Sequence, residues 1–157
     1  MSDFDGFTRI FTDGSKIGKA AGAAAVLAPH ISNKRLHNHS SIFTAEARAI
    51  LLALEMAQRS SSNYFLILSD SLSCLQSMRN RDMSRPLIAE VLCCIHELLL
   101  AGARLVFMWV PSHVGLAGNS AADTAAKAAV LMPISNLTLP YSVYLPRSQS
   151  VAVIMES

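Results

Sequence analysis

The spacing of apolar residues changes character several times along the chain. Thr8 to Thr12 (TRIFT) mixes β-branched and aromatic residues, and Asp13-Gly14-Ser15 follows with turn chemistry. That pattern predicts a short strand ending at Asp13. Lys19 to Ala28 (KAAGAAAVLA) is small and apolar throughout. It suits a strand packed closely against its neighbours, and its alanines suit a helix equally well. Pro29 ends the run, and Lys34 to Ile42 is polar and alternating, as an edge strand would be. The three runs are spaced like an antiparallel meander.

The period then lengthens. Thr44 to Arg59 (TAEARAILLALEMAQR) reads as a helix, with Thr44 as a candidate N-cap and Ser60 to Asn63 as its stop. Tyr64 to Ser69 (YFLILS) is a short apolar run closed by Asp70, as in a buried parallel strand. Ser71 to Asn80 reads as a short helix. Pro86 opens another, with Ile88, Val91, Leu92, Ile95, Leu98 and Leu99 on one face and Gly102 at its end. Arg104 to Val110 predicts a strand, and Asn119 to Val130 a last helix carrying Asp123 in its first turn. From Leu131 onward periodicity fades, punctuated by Pro133, Pro140 and Pro146. One domain over residues 5–131 is expected, with 132–157 a tail that packs loosely or belongs to a larger chain. Strands in a meander followed by strands alternating with helices give an α/β fold with a mixed sheet.

Composition narrows the class. The chain is 52% hydrophobic and 15% charged over 157 residues. It holds no apolar run long enough to span a bilayer, and MSDFDG does not read as a signal peptide. A soluble intracellular protein is expected, in nucleus or cytoplasm, monomeric as an isolated domain. Cys74, Cys93 and Cys94 lack metal-ligand spacing and read as reduced core thiols. A net charge of +2 permits nucleic-acid binding without a strong electrostatic footprint.

Four of the eleven acidic residues differ from the rest. Glu46 has Ala49, Ile50 and Ala53 at i+3, i+4 and i+7, so it begins an apolar stripe, where an uncompensated acid is costly. Asp13 and Asp70 each follow an apolar strand, where ligands gather in open α/β sheets. Asp123 lies near a helix start. Each alone has an ordinary explanation as a turn, N-cap or first-turn acid. Brought together, four carboxylates would repel one another and raise their own pKa values. Hard divalent cations relieve that repulsion through oxygen ligands.

Four segments, FTDGS (11–15), TAEARAILLALE (44–55), ILSDS (67–71) and WVPSHVGLAGNSAADTAAKAA (109–129), together resemble the type 1 ribonuclease H domain. They occur in that family's order: Asp, Glu, Asp, then His with Asp ten residues on. The style is most similar to domains attached to reverse transcriptases of non-LTR retrotransposons, Jockey-like elements in particular. The resemblance implies an RNase H-like fold: a five-stranded mixed sheet, antiparallel meander plus two parallel strands, flanked by helices. It implies Asp13, Glu46, Asp70 and Asp123 as ligands of two Mg²⁺ ions, with Mn²⁺ a possible substitute. His113 would assist proton transfer and product release. Gly14, Ser15, Ser71 and Asn119 would contact nucleic acid, although Asn119 also suits a helix N-cap. The implied activity is metal-dependent endonucleolytic hydrolysis of the RNA strand in RNA/DNA hybrids, within a retrotransposon reverse transcriptase.

Two departures stand out. Between Asn80 and Leu87 only Arg81 and Arg85 are basic, with no room for the basic helical protrusion of many cellular members. Binding by this domain alone should be weak and salt-sensitive, a reverse-transcriptase portion supplying affinity. A catalytically weak or inactive hybrid-binding module of retrotransposon origin is the alternative reading. His37 and His39 have no third ligand nearby in sequence and read as surface residues.

Overall fold

A computed structural model describes residues 2–112, 115–135 and 152–154. Six strands and four helices follow a short 3-10 turn at Ser2–Phe4: β1 (Thr8–Ile17), β2 (Ala20–Leu27), β3 (His30–Arg35), α1 (Ile42–Arg59), β4 (Tyr64–Ser69), α2 (Leu72–Arg79), α3 (Pro86–Leu100), β5 (Arg104–Trp109), α4 (Ala117–Ala129) and β6 (Ala152–Ile154). They form one sheet in the order β3-β2-β1-β4-β5-β6. The β1–β2 and β2–β3 pairs are antiparallel, and β1–β4, β4–β5 and β5–β6 are parallel. The expected five-stranded mixed sheet is thus present, and β6 extends it along β5 with Val106 opposite Ala152.

Alternation in the strands builds a core on each face. Ile10, Ala23, Ala25, Phe65, Ile67, Leu105 and Phe107 pack with α1, α2 and α3. On the other face Ala24 and Val26 meet Ala122, Ala125 and Ala126 of α4. Leu66, Leu68, Val106 and Met108 lie there too, covered by Phe4, Phe7, Phe11 and Leu116. Phe65 and Phe107 are fully buried, which stabilises by about 1.5–3 kcal/mol each.

Several boundaries differ from the local pattern. The turn chemistry at Asp13-Gly14-Ser15 is not used: β1 continues to Ile17, paired with Ala20, and the chain reverses at Gly18-Lys19 with Gly18 at φ +61°. The alanine-rich run is a strand because helices close on both its faces at short range. A Cβ on Gly22 would stand 2.6 Å from the Ala126 carbonyl of α4. Tertiary packing overrides alanine's helix propensity there. The third strand starts four residues earlier than its polar alternation suggests and ends at Arg35, because Ala28-Pro29 makes a two-residue link and Leu27 pairs with His30. Helix α1 starts at Ile42, capped by Ser41, whose Oγ accepts from the Thr44 amide at 3.0 Å. Thr44 is not the cap.

Residues just beyond α4 return to the β3 edge. The Ser135 amide donates to the Arg35 carbonyl at 3.1 Å, and the Arg35 guanidinium donates to the Val130 carbonyl at 2.6 Å.

Candidate active site

Asp13 sits inside β1 opposite Ala24, with its carboxyl buried. Two contacts seat this part of the strand. The Thr12 hydroxyl donates to the Leu68 carbonyl of β4 at 2.9 Å, and the next residue, Gly14, admits α1. A Cβ on Gly14 would come within 2.6 Å of the Glu46 amide nitrogen. Gly14, expected from local turn chemistry to lie in a turn, lies in a strand, and its missing side chain brings Glu46 beside Asp13.

Glu46 is the fifth residue of α1 and buried, and the helix has no acid in its first turn. Favour from the helix dipole is therefore not why this acid is here. Asp70 follows the last residue of β4 and is partly exposed. Single carboxylate oxygens of Asp13, Glu46 and Asp70 all lie within 4.8 Å of one another. They line a cavity of ≈ 280 Å³ together with Gly14, Ser112, Gly115, Asn119, Ser120, Asp123 and Thr124.

Asp123 joins the cavity from α4 but stands outside that mutual 4.8 Å triad. It is not in the first turn as the pattern suggested: α4 begins at Ala117, with Leu116 at the N-cap position, making Asp123 its seventh residue and Asn119 its third rather than the N-cap. The helix reaches the sheet because Gly118 leaves no Cβ to collide with the Phe11 ring. Asp123 accepts from Lys127 Nζ at 2.8 Å, and its carboxyl also hydrogen-bonds Asp13.

Crowded acids hold their protons. Burial pushes the Glu46 carboxyl from an ordinary 4.5 up to about 9, reinforced by the charges of Asp70 and Asp13. Asp13 rises from 3.8 to about 7 through burial, then the Asp70 charge and the hydrogen bond to Asp123. The Gly14 backbone hydrogen bond pulls both the other way. One observation bears directly on an ion: Glu46 Oε2 is buried without a hydrogen-bond partner. An all-oxygen donor set with an orphaned carboxylate oxygen fits a hard divalent cation.

The remaining sequence candidates scatter. Asn119 and Gly14 line the cavity; Ser15, buried in β1, and Ser71 do not. Ser71 caps α2, its Oγ accepting from the Cys74 amide at 3.4 Å. His113 lies outside the described residues. Sequence reading missed Ser112 and Lys127. The i,i+4 spacing from Asp123 signals the lysine; no local signal marks the serine, whose partner Asp70 is 42 residues away.

The RNase H family model matches residues 6–131. No curated protein matches the chain in sequence. Among solved structures it is similar to RNase H1 from the halophilic archaeon Halobacterium salinarum, at 21% identity and TM-score 0.59, covering 78% of this chain and 96% of that one. LC11-RNase H1, isolated from compost by a metagenomic approach, aligns at 21% identity and TM-score 0.65, covering 80% and 96%. The same protein in complex with an RNA/DNA hybrid aligns at 22% and 0.62, covering 78% and 95%. At these identities the structures speak for the fold, while the family match spans most of the chain and carries the active-site motifs: this protein belongs to the RNase H family of ribonucleases.

Proposed function

We propose that this chain is a metal-dependent endonuclease that hydrolyses the RNA strand of RNA/DNA hybrids, working within a retrotransposon reverse transcriptase. The observation that carries the reading is the buried, unpartnered Glu46 Oε2 inside a three-carboxylate cluster. Asp13, Glu46 and Asp70, with Asp123 from α4, are the ligands for two Mg²⁺ ions, which Mn²⁺ can replace. Two ions held by these carboxylates would supply the chemistry of water activation and of charge stabilisation at the leaving oxygen of a phosphodiester.

The chain's own residues do the rest. β1 and α1 hold Asp13 and Glu46 in fixed positions, and both carboxyls surrender their protons to ligate. Asn119, Ser120 and Thr124 present hydrogen-bonding groups around the cavity. Gly14, Ser15, Ser71 and Asn119 are the proposed nucleic-acid contacts, and sensing the 2′-hydroxyl is what restricts cleavage to RNA. His113 is the proposed group for proton transfer and product release.

That LC11-RNase H1 is found in complex with a hybrid supports the substrate. Dependence on a larger partner is supported by Arg85, which pairs with Asp82 at 3.2 Å and lies 4.1 Å over the Phe43 ring, leaving it engaged within the domain. No helix among the described residues is long and apolar enough to cross a membrane.

The test is cleavage of a labelled hybrid with Mg²⁺, with Mn²⁺ and with chelator. Ion-dependent cutting of the RNA strand alone is expected. Hybrid binding without any cutting at high protein concentration would instead favour a non-catalytic binding module.

A further inference from the structure

We infer that Ser112 is a positioning residue: its hydroxyl presets the Asp70 carboxylate for an ion. The inference rests on the metal-dependent reading above.

The three clustered acids are not held alike. Asp13 is fixed within a strand and Glu46 within a helix, both buried. Asp70 lies beyond the end of β4 and is the least buried of the three, so regular structure does not fix it. Its restraint comes from one short segment across the sheet. The Trp109 indole N–H donates to the Asp70 carbonyl at 3.2 Å, and the Ser112 hydroxyl donates to Asp70 Oδ2 at 2.7 Å. The Val110 amide donates to the Ser69 carbonyl at 2.9 Å, extending the β4–β5 ladder toward the acid. Backbone and carboxylate of Asp70 are therefore both gripped by residues 109–112.

The chemistry of the grip matters. The serine hydroxyl is the donor and Asp70 Oδ2 the acceptor, at a normal O–H···O length of 2.7 Å. With Oδ2 held, the carboxylate can offer Oδ1 to an ion without turning. A neutral hydroxyl orients the ligand while leaving its charge for the cation. Asp123 shows the contrast, since Lys127 at 2.8 Å partly neutralises it.

The experiment uses the full chain without hybrid, reading Mn²⁺ binding from loss of the free-ion electron paramagnetic resonance signal. Ser112→Ala should weaken binding about tenfold, the lower end of the effect of removing a hydrogen bond to a ligating group. Ser112→Thr keeps the hydroxyl and should restore it. The Mg²⁺ midpoint for hybrid cleavage should move with the binding constant, while kcat at saturating Mg²⁺ changes less. Ser112→Gly provides a second hydroxyl-free variant should the alanine chain fail to fold. Wild-type affinity in a folded Ala or Gly variant overturns the inference, as does equal loss in the Ala and Thr variants. If the wild type cuts hybrid while the Ala variant binds Mn²⁺ normally, only the role of Ser112 falls. If the wild type neither binds Mn²⁺ nor cuts, the nuclease reading falls with it.

Discussion

Glu46→Gln should stabilise the metal-free protein, and increasingly so as pH rises. In the fold the carboxyl keeps its proton to about 9, against an ordinary 4.5, chiefly because it is buried. Between those values the folded chain binds a proton that the unfolded chain has released. Stability must then fall as pH rises through the window. At about 1.4 kcal/mol per pH unit, this group alone removes about 3 kcal/mol by pH 7. Glutamine cannot ionise and escapes the loss. In chelator at pH 7 the variant should melt roughly 6–12 °C above wild type, using roughly 2–4 °C per kcal/mol for a chain of this size. Near pH 4.5 the two should converge. Asp13, raised to about 7, remains in the variant, so its stability should still decline to about pH 7 and then level, while the wild type declines toward about 9. Saturating Mg²⁺ should restore the wild type by displacing the protons and do little for the variant. Thermal denaturation followed by circular dichroism at constant ionic strength between pH 4.5 and 9 measures all of this. Parallel wild-type and variant curves would mean that Glu46 ionises normally, and the argument from burial would be wrong.

Other outcomes follow from the same contacts. Asp70→Asn should leave the fold intact and abolish hybrid cleavage, because it withdraws a ligand charge from the cluster; full activity in a folded variant would remove Asp70 from the site. Gly14→Ala drives a methyl against the Glu46 amide and should cost about 1–3 kcal/mol by denaturant melts, with cleavage falling too because Glu46 is displaced from Asp13. Arg48 of α1 pairs with Glu90 of α3 at 3.7 Å with little exposure, so Arg48→Ala should destabilise by about 3 kcal/mol, whereas Arg48→Met with Glu90→Leu should recover most of it.

The sequence by itself determined those features that depend on neighbours close along the chain. Periodicity located α1, β4, α3 and β5 to within a few residues, since each element's apolar face is written at 3.6- or 2-residue spacing. The anomaly of Glu46, an acid at the head of an apolar stripe, was also legible, and its burial follows from that stripe facing the sheet. What involves distant partners was decided only by tertiary structure. β1 runs through its turn-like DGS because the ladder to β2 continues, and the alanines of β2 are extended because helices press on both sides. The register of α4, which moved Asp123 beyond the first turn, is set by Gly118 against Phe11. The addition of β6 to β5 joins residues 46 positions apart, and no local pattern encodes it. Likewise Ser112 meets Asp70 only once β4 and β5 lie side by side. A hydrogen bond between residues remote in sequence leaves no trace in either one's immediate neighbours, because the energy that selects it comes from the packed sheet and not from the local backbone.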